Sequence, residues 1–341
     1  MIRCHTSIQP KRIHIGHYLS SVRPVLSSPN KPVAISISDL TFLSKQNFDQ
    51  NLPKNQGKKS NMKNTNIYQK CLETARWLAA MDESKKSIFY KQSDISSISE
   101  LNWFLTCNLK KENLEGLSSW NKYSELSGVE VGKLILPVLS VAEKILLHAA
   151  SSNSCNFYSS SLKYDEYCLG NDLLFLTGLL QTNSGSDENS TNSKLKMEMT
   201  QKINALQNPI NRMIVDDANK NNTIYIDDDV KNIEKLVRKA TTDSEVGIKL
   251  DRINRPGTAN LLDIYQGLGG DLSLILDSEM SKKDFKIIVS DLILSEISKI
   301  QNRHENFSLD EIEETLYEGG KFMNELLEPK IFEIRENFGL F

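Results

Sequence analysis

The sequence predicts an α/β fold, with a parallel sheet in the first half of the chain and helices in the second half. Short β-branched segments alternate with segments of helical periodicity up to about residue 180, which is the pattern of a sheet covered by helices on both faces. Beyond residue 200 the apolar spacing is nearly all helical. We therefore expect a first domain over residues 1–195 and a helical domain over residues 196–341.

The predicted strands end near residues 8, 38 and 90. Residues 6–8 precede Pro10, which cannot continue a central strand. Residues 32–38 (PVAISIS) alternate and are β-branched, and residues 87–90 form a third short strand after a helix over 67–81. Ligands of such sheets bind outside the carboxyl ends of the strands.

Two Ser/Glu pairs have the spacing of a capping box, in which the two residues satisfy backbone groups at a helix start. They are Ser97 with Glu100 and Ser308 with Glu311. Further helices are predicted over residues 134–149, 230–240, 285–300 and 309–327. Two polar stretches, 49–66 and 183–193, lack apolar periodicity and are interpreted as mobile inserts.

Composition excludes several classes of protein. The 341 residues are 39% hydrophobic and 25% charged, which is ordinary for a globular protein with a sizeable core. A net charge of −3 argues against a general attraction to nucleic acid, so any RNA contact must be local and no DNA partner is expected. Five scattered cysteines argue against a zinc site or a disulfide framework, and no apolar run is long enough for a membrane span.

A His-x-Gly-His tetrad lies where the first strand meets a helix. His14, Gly16 and His17 follow Pro10 closely, and from His17 onward the apolar residues fall at helical spacing. Backbone N–H groups at such a junction favour a phosphate group. A glycine lets a bound group approach the backbone, and two imidazoles can donate hydrogen bonds to phosphoryl oxygens. A chance occurrence of the tetrad on a helix is the alternative.

The segment Ile8-Gln9-Pro10 with His14-Ile15-Gly16-His17 resembles the opening of class I aminoacyl-tRNA synthetases, and specifically the tryptophanyl family of the bacterial and mitochondrial type. Other motifs of that family recur in the same order: Gln92-Ser93-Asp94, Pro137-Val138-Leu139, Thr242-Asp243-Ser244, and Arg255-Pro256-Gly257 running into Asn260-Leu261-Leu262. The resemblance covers nearly the whole chain apart from the two polar inserts. It implies a Rossmann-like nucleotide-binding domain and a helical domain that contacts tRNA.

The resemblance implies residues for ATP. It assigns catalytic roles to His14, His17 and Arg212, and ATP contacts to Gln9, Pro10, Gly16, His17, Gly170, Asp172, Arg212 and Met213. Gly170 and Asp172 are the nearest match to a Gly-Glu-Asp-Gln stretch of the relatives. Mg²⁺ is expected to arrive with ATP, without a dedicated protein site.

The resemblance also implies a tryptophan pocket. Relatives place an Asp that accepts a hydrogen bond from the indole N–H where this chain has Glu143, which is one methylene longer. Asp39 and Thr41 take the place of an Asp-x-His pair on the second strand. The alternative for Glu143 is an acid at a helix surface, paired with Lys144 or water.

The largest departure from the family is in its Lys-Met-Ser-Lys-Ser loop, which corresponds here to residues 212–216 (RMIVD). Arg212 keeps the first cation, whereas the second lysine is Val215 and the last serine is Asp216. Losing one positioned donor slows catalysis by roughly a hundredfold to a thousandfold. Nearby Lys220 is a candidate substitute.

Partners follow from the same resemblance. Lys231, Lys235 and Arg238 lie on one face of a predicted helix and are candidates for tRNA(Trp) phosphates, although such a row is often only a solvated face. The family forms homodimers, so a homodimer is expected. The predicted first strand leaves no room for a long transit peptide, yet the bacterial-type resemblance favours the mitochondrial matrix, with the cytoplasm as the alternative.

Two hypotheses for function remain open at this stage. The first is an active tryptophan–tRNA ligase, whose turnover is reduced or lost if nothing compensates for Val215. The second is a catalytically decayed paralogue that binds RNA or protein. The first rests on the intact Gln9 and His14–His17 segment, and the second on Val215, Asp216 and Thr41.

Overall fold

The computed structural model describes residues 1–44, 66–118, 120, 129–152, 154–160, 164–177, 194–276 and 280–341. Its centre is a five-stranded sheet in the order β3-β2-β1-β4-β5, in which every neighbouring pair is parallel. The strands are β1 Cys4–Ile8, β2 Val33–Ile37, β3 Ile88–Lys91, β4 Asn156–Ser160 and β5 Lys196–Thr200. Strand order reverses direction between β1 and β4, which is where sheets of this type bind ligands.

Helices cover both faces of the sheet and make up most of the described C-terminal half. In chain order they are α1 Ile15–His17, α2 Arg23–Leu26, α3 Asp39–Ser44, α4 Ile67–Met81, α5 Ser96–Asn108, α6 Lys111–Glu115, α7 Val131–Leu134, α8 Leu136–Ala150, α9 Tyr164–Leu174, α10 Val230–Lys239, α11 Pro256–Gly267, α12 Lys282–His304 and α13 Leu309–Asn337. A π-helical turn over Tyr18–Val22 joins α1 to α2. The predicted α/β fold with a helical C-terminal region is therefore confirmed.

Alternate residues of the strands are buried in two apolar clusters, one on each face of the sheet. Ile35 and Phe89 join the cluster made with α4, α10, α11 and α12. Ala34 and Tyr90 join the cluster made with α5, α8 and α9. Helix α13 contributes its first turns to one cluster and its later turns to the other, so it crosses the sheet beside the edge strand β3.

Several expectations need correction. Ser97 does not cap a helix, because α5 begins at Ser96 after Ile95, and Glu100 instead pairs with Arg335 on α13. The capping box of Ser308 and Glu311 is confirmed. Strands β4 and β5 were not predicted, and β5 lies just beyond position 195.

The division at 195 stays a prediction, and both apolar clusters include residues from each side of it. The predicted inserts at 49–66 and 183–193 lie outside the described residues, except for Asn66, whose side chain caps α4.

Candidate active site

The tetrad at the start of the chain lies at the first helical turn after β1, as predicted. His14 is the N-cap of α1, and its Nδ1 accepts a hydrogen bond from the backbone N–H of His17 at 3.1 Å. The two imidazole rings stack with centroids 3.7 Å apart. The helix therefore begins two residues before the predicted start, and the first histidine acts as its cap.

A distant segment holds this junction in place. The N–H of Ile15 donates to the carbonyl of Ile224 at 2.9 Å, and the N–H of Ile226 donates to the carbonyl of Ile13 at 3.0 Å. Between these two bonds the His14 ring faces the edge of Tyr225. Sequence analysis did not find this contact, because it pairs segments about 210 positions apart.

His14 is a neutral hydrogen-bond donor. Burial, followed by the charges of His17 and Arg212, lowers its pKa well below the usual value of 6.5. Because Nδ1 already accepts a bond, the ring proton lies on Nε2. Among the described residues, Nε2 is buried and has no hydrogen-bond partner. A buried N–H of this kind is costly unless a ligand oxygen accepts from it.

Gly16 is required for a different reason than the one expected. A Cβ at this position would lie 2.9 Å from Nδ1 of His14 and 3.4 Å from the Cβ of Met213. The space left by the glycine therefore accommodates the His14 ring. The same contact brings the loop that contains Arg212 and Met213 against the tetrad.

The loop of residues 212–216 is tied down at its start. The N–H of Met213 donates to the carbonyl of Ile203 at 3.2 Å, and Arg212 bridges with Asn204. Burial lowers the pKa of Arg212 from its usual value, and its charge contributes to the lowered pKa of His14. The structure thus places the predicted catalytic residues His14, His17 and Arg212 together.

A cleft of about 400 Å³ lies beside this junction. Pro10, Ile13, Val215 and Asp216 are among the described residues that line it, whereas His14, His17 and Arg212 are not. Asp216 has a φ of 60°, and its N–H donates to the hydroxyl of Tyr225 at 3.1 Å. The half-buried Gln9 precedes this cleft, and its carbonyl accepts from the N–H of Lys11.

A larger cleft, of about 960 Å³, lies between the end of α4 and the start of α13. It includes Ile88 and Phe89 from the beginning of β3. This is the amino-terminal edge of a parallel sheet, where ligands of this fold class do not bind. The smaller cleft beside the junction is therefore the better candidate.

Asp39 and Thr41, which were predicted on the second strand, lie instead at the start of α3 and contact the segment after β3. The carboxylate of Asp39 accepts from the N–H of Ser93 at 3.0 Å and from its hydroxyl at 2.5 Å. The hydroxyl and N–H of Thr41 donate to Oε1 of Gln92, each at 3.3 Å. Both predicted residues therefore follow the carboxyl end of β2 and contact the segment that follows the adjacent strand β3.

Glu143 is not at a helix surface, so the alternative paired with Lys144 or water is wrong. Its side chain is 3% exposed; Oε1 accepts from the Tyr90 hydroxyl at 2.8 Å and Oε2 from Gln92 Nε2 at 3.3 Å. Lys144 instead donates to the hydroxyl of Ser140 at 2.6 Å. Gln92 links Thr41 to Glu143, so the three elements α3, β3 and α8 meet in one polar network.

Sequence reasoning missed three members of this network: His5, Tyr90 and Gln92. The hydroxyl of Tyr90 lies 3.2 Å from Nε2 of His5, which is itself 3.9 Å from Glu143. Burial and then the charge of Glu143 raise the pKa of Tyr90 well above its usual value, so the phenol stays a donor. The Gln92-Ser93-Asp94 motif was the one available signal.

Gly170 and Asp172 lie on α9, in the middle of the helix that follows β4. A Cβ on Gly170 would lie 2.6 Å from Leu195 and 3.6 Å from Val141, so this glycine allows α9 to pack closely on its neighbours. Asp172 is exposed. The structure does not bring these two residues to the tetrad, and their ATP contacts stay a prediction.

The motifs at residues 242–244 and 255–260 form a hydrogen-bonded group. This group also contacts Asn204, which bridges with Arg212 at the start of the loop. Asp243 accepts from Arg255 at 3.0 Å, from Lys282 at 2.8 Å and from Thr258 at 2.6 Å. Despite partial burial, these bonds lower the pKa of Asp243 well below its usual value. Asn260 donates to the carbonyl of Asn204 at 3.0 Å and accepts from its N–H at 2.8 Å.

The predicted basic row lies on α10. Ile233, Leu236 and Val237 bury one face of this helix, and Lys231, Lys235 and Arg238 are all exposed. The row is therefore accessible to a ligand. Its contact with tRNA stays a prediction.

Within the described part of the chain, no group of three or more His, Cys, Asp or Glu side chains is arranged to hold a metal ion. No helix in that part is both long and apolar enough to cross a membrane.

Comparison with known proteins gives relatives along the whole chain. It is 25% identical over 352 residues to a tryptophan–tRNA ligase of Caldanaerobacter subterraneus, covering 100% of this chain and 99% of the relative. It is 26% identical over 339 residues to the tryptophan–tRNA ligase of Malacoplasma penetrans, covering 96% and 94%. No protein-family model matches the chain.

Solved structures share the fold. A tryptophanyl-tRNA synthetase from Mycoplasma pneumoniae superposes with a TM-score of 0.82 at 20% identity, over 99% of this chain and 98% of that one. The Campylobacter jejuni synthetase, solved with ADP and tryptophan, gives a TM-score of 0.68 at 18% identity, over 99% and 100%. In sequence and in fold, the chain is similar to bacterial tryptophan–tRNA ligases, which confirms the resemblance from its motifs.

Proposed function

We propose that the protein is a tryptophan–tRNA ligase. In the first step the carboxylate of tryptophan attacks the α-phosphorus of ATP, pyrophosphate leaves, and tryptophanyl-adenylate forms. In the second step a hydroxyl at the 3′ end of tRNA(Trp) attacks the carbonyl carbon, and AMP leaves. The relatives named tryptophan–tRNA ligases, which match the whole length of the chain, support this reaction.

The observation that carries the proposal is the neutral, buried N–H of His14 beside Arg212. A fixed donor and a fixed cation stabilise the charge that develops on a phosphoryl group during displacement. The pKa of His14 is lowered, so the donor keeps its form throughout the physiological pH range. We assign ATP contacts to Gln9, Pro10, Gly16, His17 and Met213 in addition, with Mg²⁺ bound through the ATP phosphates.

Tryptophan selection is assigned to the polar network of Glu143, with Asp39 and Thr41 at its margin. The carboxylate of Glu143 accepts from Tyr90 and Gln92, and it is the acidic acceptor that the resemblance assigns to the indole N–H. Tyr90 and Gln92 fix the direction of the carboxylate. The longer side chain of Glu143 is thereby held in one position.

Three further assignments complete the proposal. Lys231, Lys235 and Arg238 would contact phosphates of tRNA(Trp), which their exposure on one helix face supports. The protein would act as a homodimer, which mass measurement in solution tests. It would work in the mitochondrial matrix, with the cytoplasm as the alternative, and fractionation of cells that carry a tagged chain decides between them.

Tryptophan-dependent exchange of pyrophosphate into ATP tests the activation step without tRNA. We expect exchange that requires tryptophan and is reduced roughly a hundredfold or more in His14→Ala, because a positioned donor is lost. No exchange by the wild-type protein at high enzyme concentration would reject the proposal.

A decayed paralogue that binds RNA or protein is the second candidate, and Val215 with Asp216 favours it. A valine removes an attraction for pyrophosphate and a carboxylate adds a repulsion. Binding of tRNA without any exchange or charging would select this candidate. Rescue of cells whose own tryptophan ligase is depleted would reject it.

A further inference from the structure

We propose that Lys11 and Lys70, called the lysine pair below, bind the phosphate chain of ATP and released pyrophosphate in the cleft beside the tetrad. This inference adds two residues to the site of the proposed ligase. That the nucleotide is ATP rests on the proposed function. Val215 stands where the resembling family has a lysine, so that positive charge is missing from the 212–216 loop. We assign its role to these two lysines, which lie outside the loop.

The lysine pair lies around a single aromatic ring. The Nζ of Lys11 lies 5.7 Å from the centroid of Phe42, and the Nζ of Lys70 lies 5.0 Å from it. Both side chains are half-buried and line the same cleft as Pro10 and Val215. Phe42, at 3% exposed, is a fixed platform that keeps the two ammonium groups in one small region.

Two of the other charged groups of the cleft, Arg12 and Asp227, are paired with each other. The guanidinium of Arg12 makes two bonds to the carboxylate of Asp227, the shorter at 2.7 Å, and lies over the Tyr225 ring at 3.8 Å. The carboxylate of Glu73 lies 3.3 Å from Nε2 of His304. The Arg12–Asp227 pair therefore contributes little net charge toward a ligand. His304 does not offset the charge of Glu73, because burial lowers the pKa of this imidazole and leaves it neutral.

Within the described part of the chain, neither ammonium group of the lysine pair has a hydrogen bond or an ion pair. Glu73 and Asp216 are the remaining carboxylates among the described residues of the cleft, and both are exposed. The cleft therefore holds two half-buried cations and two exposed carboxylates. A half-buried ammonium group has three donors, and without an acceptor its desolvation is uncompensated.

A polyphosphate fits this arrangement better than a single carboxylate. It carries several charged oxygens along an extended chain, so one ligand can accept from both lysines. The cleft begins at Pro10, directly after the carboxyl end of β1, and ends at Asp216. A phosphate chain bound in this cleft would lie among the lining residues, which include both lysines and Ile13, the residue that precedes the tetrad.

The test compares Lys11→Met and Lys70→Met with Lys283→Met, an exposed lysine on α12 that serves as the matched control. One arm measures the KM for ATP in tryptophan-dependent exchange, and the other measures binding of inorganic pyrophosphate with Mg²⁺ by calorimetry. We expect each cleft variant to weaken both by about tenfold to a hundredfold, as for loss of a charged hydrogen bond. The control should match the wild type.

Two further variants guard against a general effect on folding. Lys70→Arg keeps the charge and should retain most of the affinity, while melting temperatures show whether each variant is folded. Val215→Lys, combined with Lys70→Met, adds an ammonium group to the same cleft and should recover part of the lost affinity.

The outcomes separate the two proposals. If folded Lys11→Met and Lys70→Met bind pyrophosphate and ATP as tightly as Lys283→Met, the lysine pair is not a phosphate site. If the wild-type protein binds pyrophosphate through the lysine pair but shows no exchange, the proposed ligase activity fails and the site stands. If the cleft variants lose only tRNA charging, the lysines contact RNA and the inference is overturned.

Discussion

At the scale of single residues, Glu143 shows how a carboxylate can be adapted to a pocket. Its side chain is one methylene longer than the Asp of the resembling family, and it is held by donors from two directions. The Tyr90 donor is completely buried, and its raised pKa keeps it protonated. The orientation of the Glu143 carboxylate therefore depends on Tyr90, which sequence analysis did not identify as a site residue.

We expect Tyr90→Phe to raise the KM for tryptophan about tenfold in pyrophosphate exchange while leaving kcat nearly unchanged. One hydrogen bond to a charged group is worth roughly 1.5–3 kcal/mol, and its loss from substrate binding appears in KM. Tyr158→Phe is the matched control, because its hydroxyl donates to Ser28 at 3.3 Å. An unchanged KM in a folded Tyr90→Phe protein would separate Tyr90 from tryptophan selection.

The tetrad shows the limits of residue-level reasoning. The sequence correctly placed His14 and His17 at the end of β1, because Pro10 and the helical spacing after it mark the junction. It could not reveal that His14 caps the helix, or that Gly16 makes room for that ring. Both facts depend on side-chain directions within one turn.

At the scale of elements, strong local patterns were predicted and weak ones were not. Strand β2 is fully buried and β-branched, and α4 was predicted with the bounds that it has. Strands β4 (NFYSS) and β5 (KMEMT) carry polar residues, and β5 is a half-exposed edge strand. Pairing with neighbouring strands stabilises them, and such pairing depends on contacts far apart in sequence.

The capping box predicted for Ser97 and Glu100 is wrong for a similar reason, since a distant residue decides the contact. Arg335 on α13 lies far along the chain, and its guanidinium binds the Glu100 carboxylate with two hydrogen bonds. A charged partner of this kind outweighs a local cap. At Ser308 and Glu311 the local cap is present.

Helix α11 positions the 203–213 segment through one side chain. Asn260 makes two hydrogen bonds to the backbone of Asn204, which bridges with Arg212. Gly257 permits a close approach to a second segment, because a Cβ there would lie 2.1 Å from the carbonyl oxygen of Thr241, whose N–H donates to the carbonyl of Leu206 at 2.8 Å. The family motif in this helix is therefore explained by support of the loop.

We expect Asn260→Ala to raise the KM for ATP about tenfold and to lower the free energy of unfolding by roughly 1–3 kcal/mol, since two backbone groups of Asn204 lose their partners. Asn306→Ala is the control, because its amide makes one exposed bond to the carbonyl of Asn302. If Asn260→Ala lost stability but kept the ATP KM of the wild type, the loop would not need this support.

At the scale of the whole molecule, α13 joins the two faces of the sheet. Ile312 and Leu316 belong to one apolar cluster, and Met323 and Leu327 belong to the other. The crossing occurs at Gly319, beside the backbone of the edge strand β3. The helical half of the chain and the sheet therefore share their cores, and we expect them to unfold together.

The crossing gives a sharp test of this coupling. A Cβ on Gly319 would lie 1.8 Å from the carbonyl oxygen of Phe89, so Gly319→Ala must displace α13 from β3. Overpacking typically lowers the free energy of unfolding by roughly 1–3 kcal/mol. Because the clash here is with backbone, we expect Gly319→Ala to lower it by about 3 kcal/mol or more. Gly116→Ala, where a Cβ meets nothing within 4 Å, is the control and should be nearly neutral. Calorimetry should show one transition for the wild type, shifted as a whole in Gly319→Ala. Two separate transitions, of which only one moves, would show that the halves fold independently.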